Sequence, residues 1–195
     1  MTSATLTAGL GSTNTQNIDN SVTNYASPDA LRSPSIIAKL IHILSEEPLG
    51  GPVTIDDYRT FEIADKLEHN KVQVYLELIN QYFEYVVIVD SAYDIIVEEK
   101  PLGRDKVLKN INNVYLTKVG ELCAENEIAS PDTEERLALI RANSDSIIKH
   151  VIEHVKQVCL RSAGIETLDI EDIEIHSQYI VFHAFVECKV LEKPT

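Results

Sequence analysis

Lys71-Val-Gln-Val-Tyr75-Leu-Glu-Leu-Ile79-Asn-Gln-Tyr82-Phe83-Glu-Tyr-Val86-Val-Ile-Val89-Asp90-Ser-Ala-Tyr93-Asp-Ile-Ile96-Val97 is the longest periodic run in the chain. Val72, Tyr75, Leu76, Ile79, Tyr82, Phe83, Val86, Val89, Tyr93 and Ile96 recur at steps of three and four, and Asp90 falls on the same stripe. That period predicts a helix with one broad apolar face. Val86–Val89 alone would also fit a strand. The tyrosines read as core, because a ring packs while its hydroxyl reaches a polar neighbour.

The same reading extends in both directions. Upstream, Ser33-Pro34 is read as N-cap and first residue of a helix carrying Ile36, Ile37, Leu40, Ile43 and Leu44, stopped by Pro48-Leu-Gly-Gly-Pro52. Residues 54–67 form a short element of open type. Downstream, Arg104 to Asn126 places Val107, Leu108, Ile111, Val114, Tyr115, Val119, Leu122 and Cys123 inward, and Ser130-Pro131-Asp132 caps the next helix. That helix is interrupted near Asn143-Ser144, then carries Ile147, Ile148, Val151, Val155, Val158 and Cys159 as far as Ser162-Ala-Gly164. From Ile173 to Leu191 a helix apolar nearly all round is expected, with a strand as the rival because even positions 180 to 190 are also apolar. The acids Glu166, Asp169, Glu171, Asp172 and Glu174 just before it suit a helix N-terminus better than a cation loop, whose glycine is missing. The fold class is therefore all-α: a bundle of about five or six helices at 33–195. Residues 1–32 precede it as a polar, largely irregular arm rich in Ser, Thr and Asn, without Lys or Arg before Arg32.

The chain has 195 residues, 17 Lys and Arg against 31 Asp and Glu, and a net charge of −14. That charge repels phosphate backbones, which argues against direct nucleic-acid binding and for a basic protein partner. No apolar run is long enough for a membrane span, and no secretory signal opens the chain, so a cytoplasmic protein without a membrane contact is expected. Cys123, Cys159 and Cys188 are odd in number and widely spaced, which fits reduced core thiols and no disulfide framework. No Gly-rich phosphate loop or G-x-S-x-G elbow is present. One pattern points to metal: His150-Val-Ile-Glu153-His154 reads H-x-x-E-H. Its two imidazoles, four apart on a helix, would share a face with Glu153 as base for zinc hydrolysis. Only 41 residues follow His154 to supply a third ligand. The expectation is accordingly no catalytic residues and no cofactor.

Two further stretches carry a resemblance. Lys66, Leu67 and Asn70 lead into the Tyr-rich helix as Lys-Leu-x-x-Asn, and the final segment holds Ala184, Phe185, Cys188, Lys189, Val190, Glu192 and Pro194. Together these stretches resemble the C-terminal module of the bacterial ABC-three-component conflict systems. The resemblance implies an all-helical interaction module acting in defence against phage or plasmid. Its partners would be an ABC ATPase, a middle component or an effector, and it would form a homo-oligomer. Two other readings stand beside it: an acidic, antitoxin-like inhibitor of a basic partner, and the zinc hydrolase using His150, Glu153 and His154.

Overall fold

The structure, a computed structural model, describes residues 32–47, 57–128 and 134–194. The expected arm, the Pro48–Pro52 stop and the Ser130–Asp132 cap lie outside these residues. Within them the protein is all-helical: α1 (Ile36–Glu46), α2 (Asp57–His69), α3 (Leu76–Tyr82), a 3₁₀ turn (Phe83–Tyr85), α4 (Val86–Glu99), α5 (Gly103–Glu125), α6 (Glu134–Ala142), α7 (Ser144–Leu160) and α8 (Ile170–Val186). No described helix is long and apolar enough to cross a membrane.

The bundle is organised around α8. Its residues from Ile180 to Phe185 are buried without interruption, and Ile173, His176 and Ser177 are buried a turn or more before them. A stretch covered on every side, as Ile180–Phe185 is, needs neighbours on every side, and α8 packs against α1, α3, α4, α5 and α7. Those neighbours each turn one stripe toward it: Ile37, Leu40, Ile41 and Leu44 from α1; Val107, Leu108, Ile111, Tyr115 and Val119 from α5; Ile147, Val151, Val155 and Cys159 from α7. The helical expectation for Ile173 onward holds, and the strand alternative does not. The acids before it form a capping box, in which Asp169 and Asp172 each accept from the other's backbone N–H at the start of α8.

The described residues hold eight α-helices where five or six were expected: the open element is a helix (α2), the break at Asn143 separates α6 from α7, and the 71–97 run is not one helix. Lys71 ends α2 in the left-handed region (φ 54°), and the chain re-enters helix only at Leu76. In between, the Asp145 carboxylate accepts from the backbone N–H groups of Gln73, Val74 and Tyr75 at 3.0–3.3 Å, a small anion-binding concavity that anchors this turn to the start of α7. At Phe83–Tyr85 the helix tightens to 3₁₀ and resumes as α4, so Val86–Val89 is helical. The stripe survives that passage because periods of 3.0 and 3.6 diverge little over three residues. The break at Asn143 appears as expected.

Two boundaries shift for visible reasons. α1 is capped by Ser35 rather than Ser33: the Ser35 hydroxyl accepts from Ile37 N–H at 3.1 Å, while the Ser33 carbonyl accepts from Ala163. α8 stops at Val186 instead of running toward Pro194. Cys188, at φ 54°, forms a Schellman turn in which Lys189 N–H reaches the Ala184 carbonyl and Cys188 N–H the Phe185 carbonyl. The same turn closes α2 at Lys71 and α5 at Glu127. All three use a side-chain-bearing residue where glycine is usual, so sequence inspection finds no stop there. This geometry exposes Cys188, contrary to the core placement expected for all three thiols; Cys159 is buried and Cys123 half-buried.

The two glycines of α5 make opposite demands. A Cβ on buried Gly103 would run into Ile96 Cγ2, so the α4–α5 corner requires its absence. A Cβ on Gly120 would meet nothing within 4 Å. Gly120→Ala is expected to stabilise the fold by about 0.5–1 kcal/mol through helix propensity. Gly103→Ala is expected to destabilise it by about 1–3 kcal/mol through overpacking. Urea unfolding of the two variants checks both signs.

Candidate functional site

The residues that carry the family resemblance come from two widely separated stretches of the sequence and meet in one place. Ile63, Lys66 and Leu67 of α2 and Asn70 just after it form a single buried face. Asn70, fully buried, uses its whole amide: Nδ2 donates to the Lys66 carbonyl at 2.9 Å and the Glu192 carbonyl at 2.8 Å, and Oδ1 accepts from Glu192 N–H at 3.0 Å. The Glu192 side chain continues outward. Its Oε1 accepts from the Tyr115 hydroxyl at 2.6 Å and from the Arg136 guanidinium at 3.0 Å. Asn112 donates to the Lys189 carbonyl at 2.9 Å. Val190 and Leu191 insert as apolar plugs, and Leu67, Ala184 and Phe185 pack in the core. The segment after α8 is thus clamped by α2, α5 and α6. Lys189 is exposed, and Pro194 borders the cavity described next.

Lys66 is the unusual member. It is 2 % exposed, donates to the Phe185 carbonyl, and lies 4.3 Å from the Phe185 ring centroid. A cation there faces the negative end of α8 and the face of an aromatic ring. Burial still lowers its pKa from 10.5 to about 8, against the opposing influence of Cys188 and Glu192. Beside it opens a cavity of about 340 Å³ lined by Ile63, Asp65, Lys66, Val186, Glu187, Cys188, Lys193 and Pro194. The lining sets two amines beside a thiol and two carboxylates, and contains no imidazole.

A second polar cluster adjoins the first through Glu187. Arg104 donates to Asp90 at 3.1 Å, lies 3.4 Å from Glu187, and contacts His183 Nε2 at 3.2 Å. A guanidinium has no acceptor, so Nε2 facing it is the accepting nitrogen, and Nδ1 then donates to the Tyr82 hydroxyl, 2.8 Å away. Arg104 also covers the Tyr93 ring at 5.2 Å. Burial raises the pKa of both Tyr82 and Tyr93, which keeps their hydroxyls protonated. His183 is 1 % exposed, so this arrangement joins α4, α5 and α8 from inside. Asp90 and His183 had a sequence signal, each being polar within an apolar run. Arg104 and Arg136 had none, since their partners sit on other segments that only packing brings near.

The H-x-x-E-H residues are on α7, away from these clusters. His150 and Glu153 are exposed and His154 half-buried. Glu153 accepts from Gln157, and His154 contacts Asn110 at 3.2 Å. Burial and the neighbouring His150 lower the pKa of His154. Among the described residues no three His, Cys, Asp or Glu side chains come together as a metal site requires. No protein-family model, no curated protein and no solved structure matches this chain.

Two measurements test the clamp. Asn70→Ala strips Glu192 of both backbone partners and is expected to cost about 2–4 kcal/mol; Asn70→Asp, which aims a carboxylate at two carbonyl oxygens, is expected to cost more. Urea titrations of the three proteins give the order. For Lys66 the folded state releases its proton near pH 8, before the unfolded chain does at 10.5. Unfolding therefore takes up a proton between those values, and the penalty for a buried cation, full below pH 8, fades as pH rises. Relative to Lys66→Met, the wild-type protein should gain about 2 kcal/mol between pH 7 and 9.5.

Proposed function

We propose that this chain is a non-catalytic assembly module of a bacterial anti-phage or anti-plasmid defence system. It docks an ABC ATPase, a middle component or an effector, and it associates with itself. The observation that carries the reading is the interlock of the two resembling stretches. Lys66 and Asn70 were matched separately from Phe185 and Glu192, yet each of the first pair hydrogen-bonds one of the second across more than a hundred residues. The resemblance therefore picks out one physical unit, the clamp, and a module so defined is built to hold shape. The all-helical body agrees with this reading, since helix faces are ready surfaces for partner helices.

The reading expects an ABC ATPase and a middle component among the neighbouring genes, and co-expression with them should yield a complex that survives molar salt, because apolar helix contacts outlast screening. Failure to retain either protein at low salt overturns the proposal. A complex with a basic protein that dissolves in salt would instead favour an acidic, charge-masking inhibitor.

A further inference from the structure

Between Lys71 and Lys100 the chain contains no Lys, Arg or His, while six acids fall there: Glu77, Glu84, Asp90, Asp94, Glu98 and Glu99. The same stretch is where apolar side chains reach solvent. Of the seven most exposed large hydrophobic residues among those described, Val74, Leu78, Val87 and Ile95 lie inside it and Leu102 just beyond. On α4 the pattern is ordered. Val87, Ser91 and Ile95 follow at steps of four and form one row along the helix, opposite the buried Val89, Tyr93 and Ile96. Val87 is 48 % and Ile95 41 % exposed, and Leu102, at 61 %, follows seven residues after Ile95. Acids border the row. Glu99 is paired with Lys39 and Asp90 with Arg104, but Glu84, Asp94 and Glu98 are exposed and have no ion pair among the described residues.

Exposed apolar side chains at Val87 and Ile95, bordered by unneutralised carboxylates, disfavour several occupants. A second copy would bring its own acids against these. Anionic lipid and nucleic acid are repelled by the same charge. A helix with an apolar stripe flanked by Lys or Arg satisfies both parts: its stripe covers Val87 and Ile95 while its bases reach Asp94 and Glu98. We propose that the outer face of α4 is a docking surface for a basic amphipathic helix of a protein partner. The surface is read from exposure and charge, and it stands whether or not the chain serves a defence system.

A synthetic cationic amphipathic helix, with Leu on one face and Lys on the other, is the probe. Three comparisons accompany it: the same residues scrambled so that no face forms, the Ile95→Glu variant of the full chain, and the Asp94→Lys/Glu98→Lys variant. A Glu166→Lys/Glu171→Lys variant removes the same charge from exposed positions elsewhere. The amphipathic peptide should slow hydrogen exchange across α4. Its affinity should fall at least tenfold in each α4 variant and less than threefold in the Glu166/Glu171 control, each variant being checked as folded by its unfolding midpoint. The scrambled peptide should bind at least tenfold more weakly. Equal binding of the scrambled peptide, equal loss in the control variant, or protection confined to other helices overturns the proposal. So does self-association of the chain that Ile95→Glu abolishes, which would make a second copy the occupant.

Discussion

One primary amide holds the bundle's central helix in register. Asn70 closes a two-way hydrogen bond with the backbone of Glu192, a residue 122 positions later, and caps the last turn of its own helix with the same group. The segment it grips follows α8, whose buried contacts are mostly apolar and by themselves tolerant of sliding and rotation. Directional bonds supply what dispersion and hydrophobic burial cannot, a unique seating. Glu192 spreads that seating, since its carboxylate ties α5 through Tyr115 and α6 through Arg136.

The cluster around Arg104 does comparable work on the opposite flank of the same helix end. Lys66 meets α8 at the Phe185 carbonyl, and Arg104 meets it at His183 and Glu187. Two cations thus converge at the C-terminal end of α8, the negative end of its dipole. In a strongly acidic protein this is where positive charge is placed most economically, and it leaves the outer face of α4 without any.

The inward stripes of α1, α5, α7 and α8 were legible in the sequence because each keeps one period over several turns. Three things were not. The run from Lys71 to Val97 hid a turn and a 3₁₀ segment, since neither disturbs the order of apolar residues. Lys71, Glu127 and Cys188 hid helix ends, because a left-handed residue that is not glycine leaves no mark. Most of the clamp's grip on Glu192 was invisible, because Tyr115 and Arg136 find that residue only through the packing of three separate helices. Lys66 and Asn70 were noticed through resemblance, without any hint of what they hold. The His150–His154 pair shows the converse. Spacing of four places two rings on one face of a helix but says nothing of what that face meets, and here it meets Asn110 and solvent.

The helix that fills the middle of the bundle is also the eighth and last along the described chain, which sets a timetable for biosynthesis. At about 5–20 residues per second, translation from the end of α1 to the end of α8 takes on the order of ten seconds. From its own synthesis until α8 emerges, each of the stripes on α1, α5 and α7 lacks its central neighbour. A nascent chain in this condition presents long apolar grooves to chaperones, and its maturation is gated by the emergence of one late segment.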